Sequence, residues 1–203
     1  MLLLVVITSS LLYVTPKSFH LERRLNAFNL TDKWLPGYNV GCMDGEIRPD
    51  GSTHVKTSHC SCFVAAVCDS MKRTMIDARE YGQYNLSTKQ IEWLQDEGVN
   101  NGWKQITGSL EEKFKKSYDK AHNGHLVVVG VKQTDMTNGH IAIVRPDVKW
   151  YNDLCENGPN VITSSHVNSY SVPLKDDFML HQKDFQFLES HLRFFYHKTA
   201  ISE

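Results

Sequence analysis

Proline and glycine are sparse, at six and twelve in 203 residues, which excludes collagen-like and proline-rich low-complexity sequence. A dominant charge is also missing. With 22 Lys+Arg against 23 Asp+Glu the formal net charge is -1. No five consecutive residues share a sign, so nothing in the charge marks a nucleic-acid binder. There is no internal repeat, and no apolar run reaches the ~20 residues a membrane-spanning helix needs. What remains, 41% hydrophobic and 22% charged, is the composition of a globular chain long enough for one domain with a real core.

Met1 to Val14, MLLLVVITSSLLYV, is apolar apart from Thr8, Ser9 and Ser10. It reads as the apolar centre of a secretion signal or signal anchor. No Lys or Arg precedes it, and Thr15-Pro16-Lys17 stands where a small-x-small cleavage site would be. A buried N-terminal strand or helix is the alternative. Residues 1–18 are therefore expected to be leader or anchor, and residues 19–203 a single domain.

Five cysteines are present: Cys42, Cys60, Cys62, Cys68 and Cys155. An odd number leaves at least one thiol outside any set of disulfides. Cys42 and Cys155 could pair in an oxidising compartment. His59-Cys60-Ser61-Cys62, with His54 nearby, invites a zinc reading, but Cys-x-Cys is tighter than the usual ligand spacing and no second Cys/His pair follows. No metal or cofactor is expected.

Leu21 to Phe28 reads as a short helix, and residues 35–58 as a long loop. From His59, Cys60, Val64, Val67 and Met71 recur at helical spacing, which predicts a helix of about four turns with one buried face, capped by Thr57 or Ser58. Ser87-Thr88-Lys89-Gln90 and Ser109-Leu110-Glu111-Glu112 have the form of capping boxes, opening helices stopped near Gly98 and Gly124. The period then changes. Leu126 to Val131 is a β-branched run, and His140 to Val144 is its antiparallel partner across a turn spanning Gln133 to Gly139. Strands at Val161–Thr163 and Leu192–Lys198 follow. Helices first and strands later predict an α+β class with an antiparallel sheet.

Cys60 falls in the first turn of its helix, where free N–H groups and the helix dipole favour a thiolate. Cys62, two residues on at about 100° per residue, points nearly the other way, so only one of the two can face a cleft shared with the sheet. Cys68 reads as core. His140 opens a strand directly after Gly139, on the face it shares with Ala142 and Val144. Glycine there permits a tight turn or a close approach to another element.

The run His59-Cys60-Ser61-Cys62-Phe63-Val64-Ala65-Ala66 resembles the nucleophile helix of the NlpC-type and CHAP-type papain-like amidases. Asn138-Gly139-His140-Ile141-Ala142-Ile143-Val144 is similar to their Gly-His strand, in the same chain order. The likeness covers roughly residues 34–198 and points to a bacterial subgroup. It implies a papain-like fold with the nucleophile helix packed on an antiparallel sheet. It also implies a thiol hydrolase with Cys60 as nucleophile, His140 as general base and acid, and no metal. The Cys60 amide would help hold the oxyanion.

The third polar group departs from the family pattern. Thr163 occupies the matching place, and His166, Asn168, Asp147 and Asn160 are alternatives. Tyr38, in Gly37-Tyr38-Asn39, and Trp103, preferred over Trp34, Trp93 and Trp150, are candidate substrate-binding residues. The implied substrate is a peptide stem of the bacterial cell wall. The implied location is secreted, periplasmic or membrane-anchored, with an inhibitor or immunity protein as a compatible partner. A catalytically silent binding module and a thiol acyltransferase are the competing readings.

Overall fold

A long β-branched run wedged between amphipathic helices sets the architecture. The computed structural model describes residues 15–49, 58–134, 139–181 and 184–198. Six strands form one sheet: β1 (Trp103–Ile106), β2 (Leu126–Val131), β3 (His140–Val144), β4 (Asn160–Thr163), β5 (Ser169–Pro173) and β6 (Arg193–His197). Their order is β1-β6-β2-β3-β4-β5, with every neighbouring pair antiparallel. With the eight α-helices among the described residues, introduced below, this is an α+β chain, as expected from the change of period. The last strand returns to lie between the first two, an insertion invisible to local periodicity.

Every residue of β2 and of β3 is buried, so helices must cover both faces. On one face, α4 (Leu86–Gln95) lies against Gly130, where an added Cβ would come within 2.8 Å of Ile91 and 2.9 Å of the His140 carbonyl. On the other, Phe114 of α5 (Leu110–His122) meets Phe194, which sits across from Val129. Ser109 and Glu112 close a full capping box on α5. Gly124, at φ 76°, lets His125 N–H reach back to the Lys120 carbonyl, as the sequence anticipates.

Other boundaries differ. α1 runs Pro16–Asn26, earlier than the expected 21–28. Thr15 caps it, Pro16 supplies a preset φ at its start, and the Thr15 hydroxyl donates to the His122 carbonyl at 2.8 Å. Residues 15–18 are thus part of the packed structure, while Met1 to Val14 lie outside the described residues. Among the described residues no helix is long and apolar enough to cross a membrane.

α2 runs Cys60–Ser70, 11 residues rather than four turns. It stops because Lys72 turns left-handed at φ 57° and Arg73 N–H bonds the Cys68 carbonyl. Its N-cap is His59, which makes no side-chain cap bond. Ser58 instead points its hydroxyl to the Ser164 carbonyl, and Thr57 and His54 lie outside the described residues. The N-cap of α4 is Asn85, in left-handed conformation, so Ser87 is inside the helix and no capping box forms there. A 3-10 turn, Glu97–Asn101, follows α4.

Four short helices went unanticipated: α3 (Ala78–Tyr81), α6 (Tyr151–Asn157), α7 (Leu174–Met179) and α8 (Phe185–His191). They are four to seven residues long, too short for an apolar stripe to stand out.

Past the far end of β3, Arg145 is buried and fully engaged. Its Nε donates to Asp147 at 3.0 Å. Nη1 donates to Asn26 at 2.8 Å and to the Tyr170 carbonyl at 2.9 Å, and Nη2 to Glu22 at 3.0 Å. This network ties α1 to the β3–β5 edge of the sheet.

Candidate functional site

The first turn of α2 is fastened from three directions. His59 Nε2 donates to the Tyr38 carbonyl at 3.0 Å. Gln90 Nε2, from α4, donates to the Ser61 carbonyl at 3.0 Å. Cys62 is disulfide-bonded to Cys42. Cys42 is thus paired with Cys62 and not with Cys155, the partner the sequence left open to it. Cys155 is a free, half-buried thiol beside Glu111, and Cys60 and Cys68 are free and buried. The opposed directions of residues 60 and 62 on the helix explain the division: Cys62 turns to the loop, and Cys60 to the sheet. Phe28, Trp34 and Phe63 pack beneath this turn with ring centroids 5.5–5.9 Å apart, Phe63 edge to face with both others and Phe28 tilted at 48° to Trp34.

His140 is the first residue of β3 and has no exposed surface. Gly139 before it permits a close approach to α4, since an added Cβ would lie 2.7 Å from the Ser87 hydroxyl. Asn138, with residues 135–137 of the expected turn, lies outside the described residues. His140 Nε2 donates to Asp177 Oδ2 at 2.8 Å, and Asp177 is 1% exposed. Phe178 meets the imidazole edge-on at 4.7 Å and 66°. His181 stacks on it at 4.0 Å and 18°.

With Nε2 committed to the carboxylate, Nδ1 is the nitrogen left to receive a proton. It makes no regular hydrogen bond, yet the Cys60 thiol is close enough for the two groups to alter each other's ionisation. Burial pushes the Cys60 thiol up. His140, the Ser58 hydroxyl and the Ile141 amide outweigh it, and the net shift is downward. Burial disfavours the charged His140 ring, but Asp177 and then Cys60 reverse this and raise it. Both shifts favour a thiolate–imidazolium pair. Cys68, on the same helix, has its thiol pushed up by burial first and then by the Asp69 charge.

The other candidates fall elsewhere. Thr163 is fully buried, and among the described residues its hydroxyl has no hydrogen-bond partner. The group that holds the imidazole is Asp177 of α7, which the sequence reading did not single out. Its signal was faint: an acid beside Phe178 on a six-residue helix, sharing an apolar face with Leu174. His166 is exposed and reaches the site only through His181, on which it stacks at 5.1 Å. Asn168 staples a loop by donating to the Leu30, Lys33 and Trp34 carbonyls. Asp147 and Asn160 belong to the Arg145 side of the sheet.

Tyr38 presents an exposed ring, 44% accessible, while its carbonyl holds His59. Trp103 is 1% exposed, and its indole N–H donates to the Thr74 carbonyl at 2.9 Å. It is a core residue rather than a wall of a cleft.

Among the described residues, His140, Asp177 and His181 have donor atoms within 4.8 Å of one another, so a metal must be considered. Ring lone pairs lie in the imidazole plane. Two rings stacked at 18° aim theirs side by side rather than at one ion, and Asp177 already accepts from Nε2. The donor set fits a hydrogen-bonded network better than tetrahedral coordination. No protein-family model matches the chain, and no curated protein is significantly similar to it.

Proposed function

We propose that the chain is a cysteine-dependent amide hydrolase with a papain-like, NlpC/CHAP-type arrangement, acting on peptide stems of the bacterial cell wall. One observation carries the reading. A thiol at a helix N-terminus lies beside a histidine whose other ring nitrogen is bonded to a buried carboxylate. That is the relation of nucleophile, base and orienting group which activates a weak nucleophile.

The Cys60 thiolate adds to the amide carbonyl carbon, and the oxyanion is held by first-turn N–H groups of α2 that lack intrahelical acceptors. The His140 imidazolium passes its proton to the amide nitrogen, the C–N bond breaks, and the amine leaves. Water then attacks the thioester as His140 takes its proton. The adduct collapses, the carboxylic acid product departs and loses its proton to solvent, and the thiolate–imidazolium pair is restored. Asp177 keeps the proton on Nε2 and stabilises the imidazolium between these steps.

A silent binding module is favoured by a different observation: Cys60 is 6% and His140 0% exposed, which leaves a carbonyl a narrow approach. Two measurements separate the readings. Purified peptidoglycan is digested by wild type and by Cys60→Ala, with mass analysis of released fragments, and iodoacetamide labelling of each cysteine is timed. Fragment release by wild type alone, with Cys60 labelled faster than Cys68 or Cys155, is expected. No release despite fast labelling removes wall peptide as the substrate. A Cys60 that labels like an ordinary buried thiol removes the hydrolase.

A further inference from the structure

Resting on the hydrolase reading, we infer that His181 is a positioning residue: its ring, stacked on His140 and tied to Ser165, fixes the plane in which the imidazole addresses the carboxylate and the thiol. A single hydrogen bond from Nε2 to Asp177 fixes one atom of the ring and leaves its plane free to tilt about that contact. Two neighbours remove the freedom. Phe178 touches the edge at 66°, and His181 covers the face at 18° with centroids 4.0 Å apart. All three contacts, Asp177, Phe178 and His181, come from α7 and the turn after it.

His181 is itself held. Its Nε2 and the Ser165 hydroxyl are 2.7 Å apart, and His166 covers its outer side at 5.1 Å and 27°. Burial first, then the like charges of His140 and His166, keep its pKa down at about 2. The ring therefore stays neutral. It does not compete for the proton of His140, and it offers an aromatic face to the imidazolium at a buried position.

The test is the pH dependence of iodoacetamide labelling at Cys60 in wild type, His181→Phe and His181→Leu. It needs no substrate, and it reads the coupling of thiol and imidazole, which a merely space-filling residue would not set. Phenylalanine keeps a stacking face; leucine fills the space without one. His181→Phe is expected to stay within about threefold of wild type. His181→Leu is expected to label about tenfold more slowly at neutral pH, the consequence of a thiol pKa about one unit higher.

A leucine variant that matches phenylalanine overturns the inference, because filling alone would then suffice. A phenylalanine variant that shifts the profile or does not fold overturns it as well. If leucine alone fails to fold, an unaltered phenylalanine profile supports it. A wild-type Cys60 with an ordinary thiol profile instead refutes the hydrolase reading beneath it, a separate result.

Discussion

Strand β3 has a buried ionic group at each end, and the two are built on opposite principles. Arg145 places donors from Nε, Nη1 and Nη2 on acceptors from α1, the β4–β5 region and its own turn. At the other end, Nδ1 of His140 has no regular partner, and the nearby thiol is pulled away from its ordinary ionisation. A satisfied buried charge is rigid and inert. An incompletely satisfied one keeps free energy that a substrate can draw on. One strand thus joins a fully bonded cation to the proposed reactive pair.

Three variants would break or sharpen this contrast. The largest effect is expected from Asp177→Asn, which keeps the shape but removes the charge that raises His140. Hydrolysis should fall by about 10²–10⁴-fold with little change in thermal stability. The sign of the pH effect follows from the two shifts. Burial raises the Cys60 thiol, but His140, Ser58 and the Ile141 amide together bring it below its ordinary value, so the acid limb expected of the proposed activity lies below that of a free thiol. His140 is raised to about 10, so the alkaline limb, where the general acid is lost, lies there. Asp177→Asn should draw the alkaline limb downward, and a pH series on both proteins measures it. An unmoved limb would show that Asp177 is not what charges the ring.

Arg145→Met should act in the opposite way. Removing the cation leaves Asp147 and Glu22 without their shared partner, and should cost about 3–5 kcal/mol in a urea melt. Labelling at Cys60 in the folded fraction should stay near wild type. A large loss of labelling with unchanged stability would erase the distinction between the two ends.

The smallest effect is expected from Thr163→Val. It removes a buried hydroxyl that has no partner, so stability should stay level or rise by about 1 kcal/mol and labelling should not change. A substantial loss of Cys60 reactivity would restore Thr163 as a participant.

The sequence made these regions legible to different degrees, for physical reasons. The strands β2 and β3 announce themselves because both faces are buried and their residues are continuously apolar. α5 does so through its capping box. Cys60 and His140 stand out because each opens a regular element, where position alone changes chemistry. Asp177 stayed hidden because nothing local separates it from a surface acid. Its burial depends on α7 folding back onto β4 and β5, which is a tertiary event. β5 was missed because no residue in it is buried, and β1 because its pairing partner lies about ninety residues later.

The bridge between Cys42 and Cys62 sets a practical window for handling the protein. Both ends of the first turn's sulfur chemistry answer to the same reagents: a reductant strong enough to reverse a sulfenic acid or mixed disulfide at Cys60 will also sever the tether two positions away, and an oxidant that preserves the tether will attack the free Cys60 thiol. Preparations should therefore be most competent under mild thiol buffering, where the protected bridge survives and the lone sulfur beside it stays free.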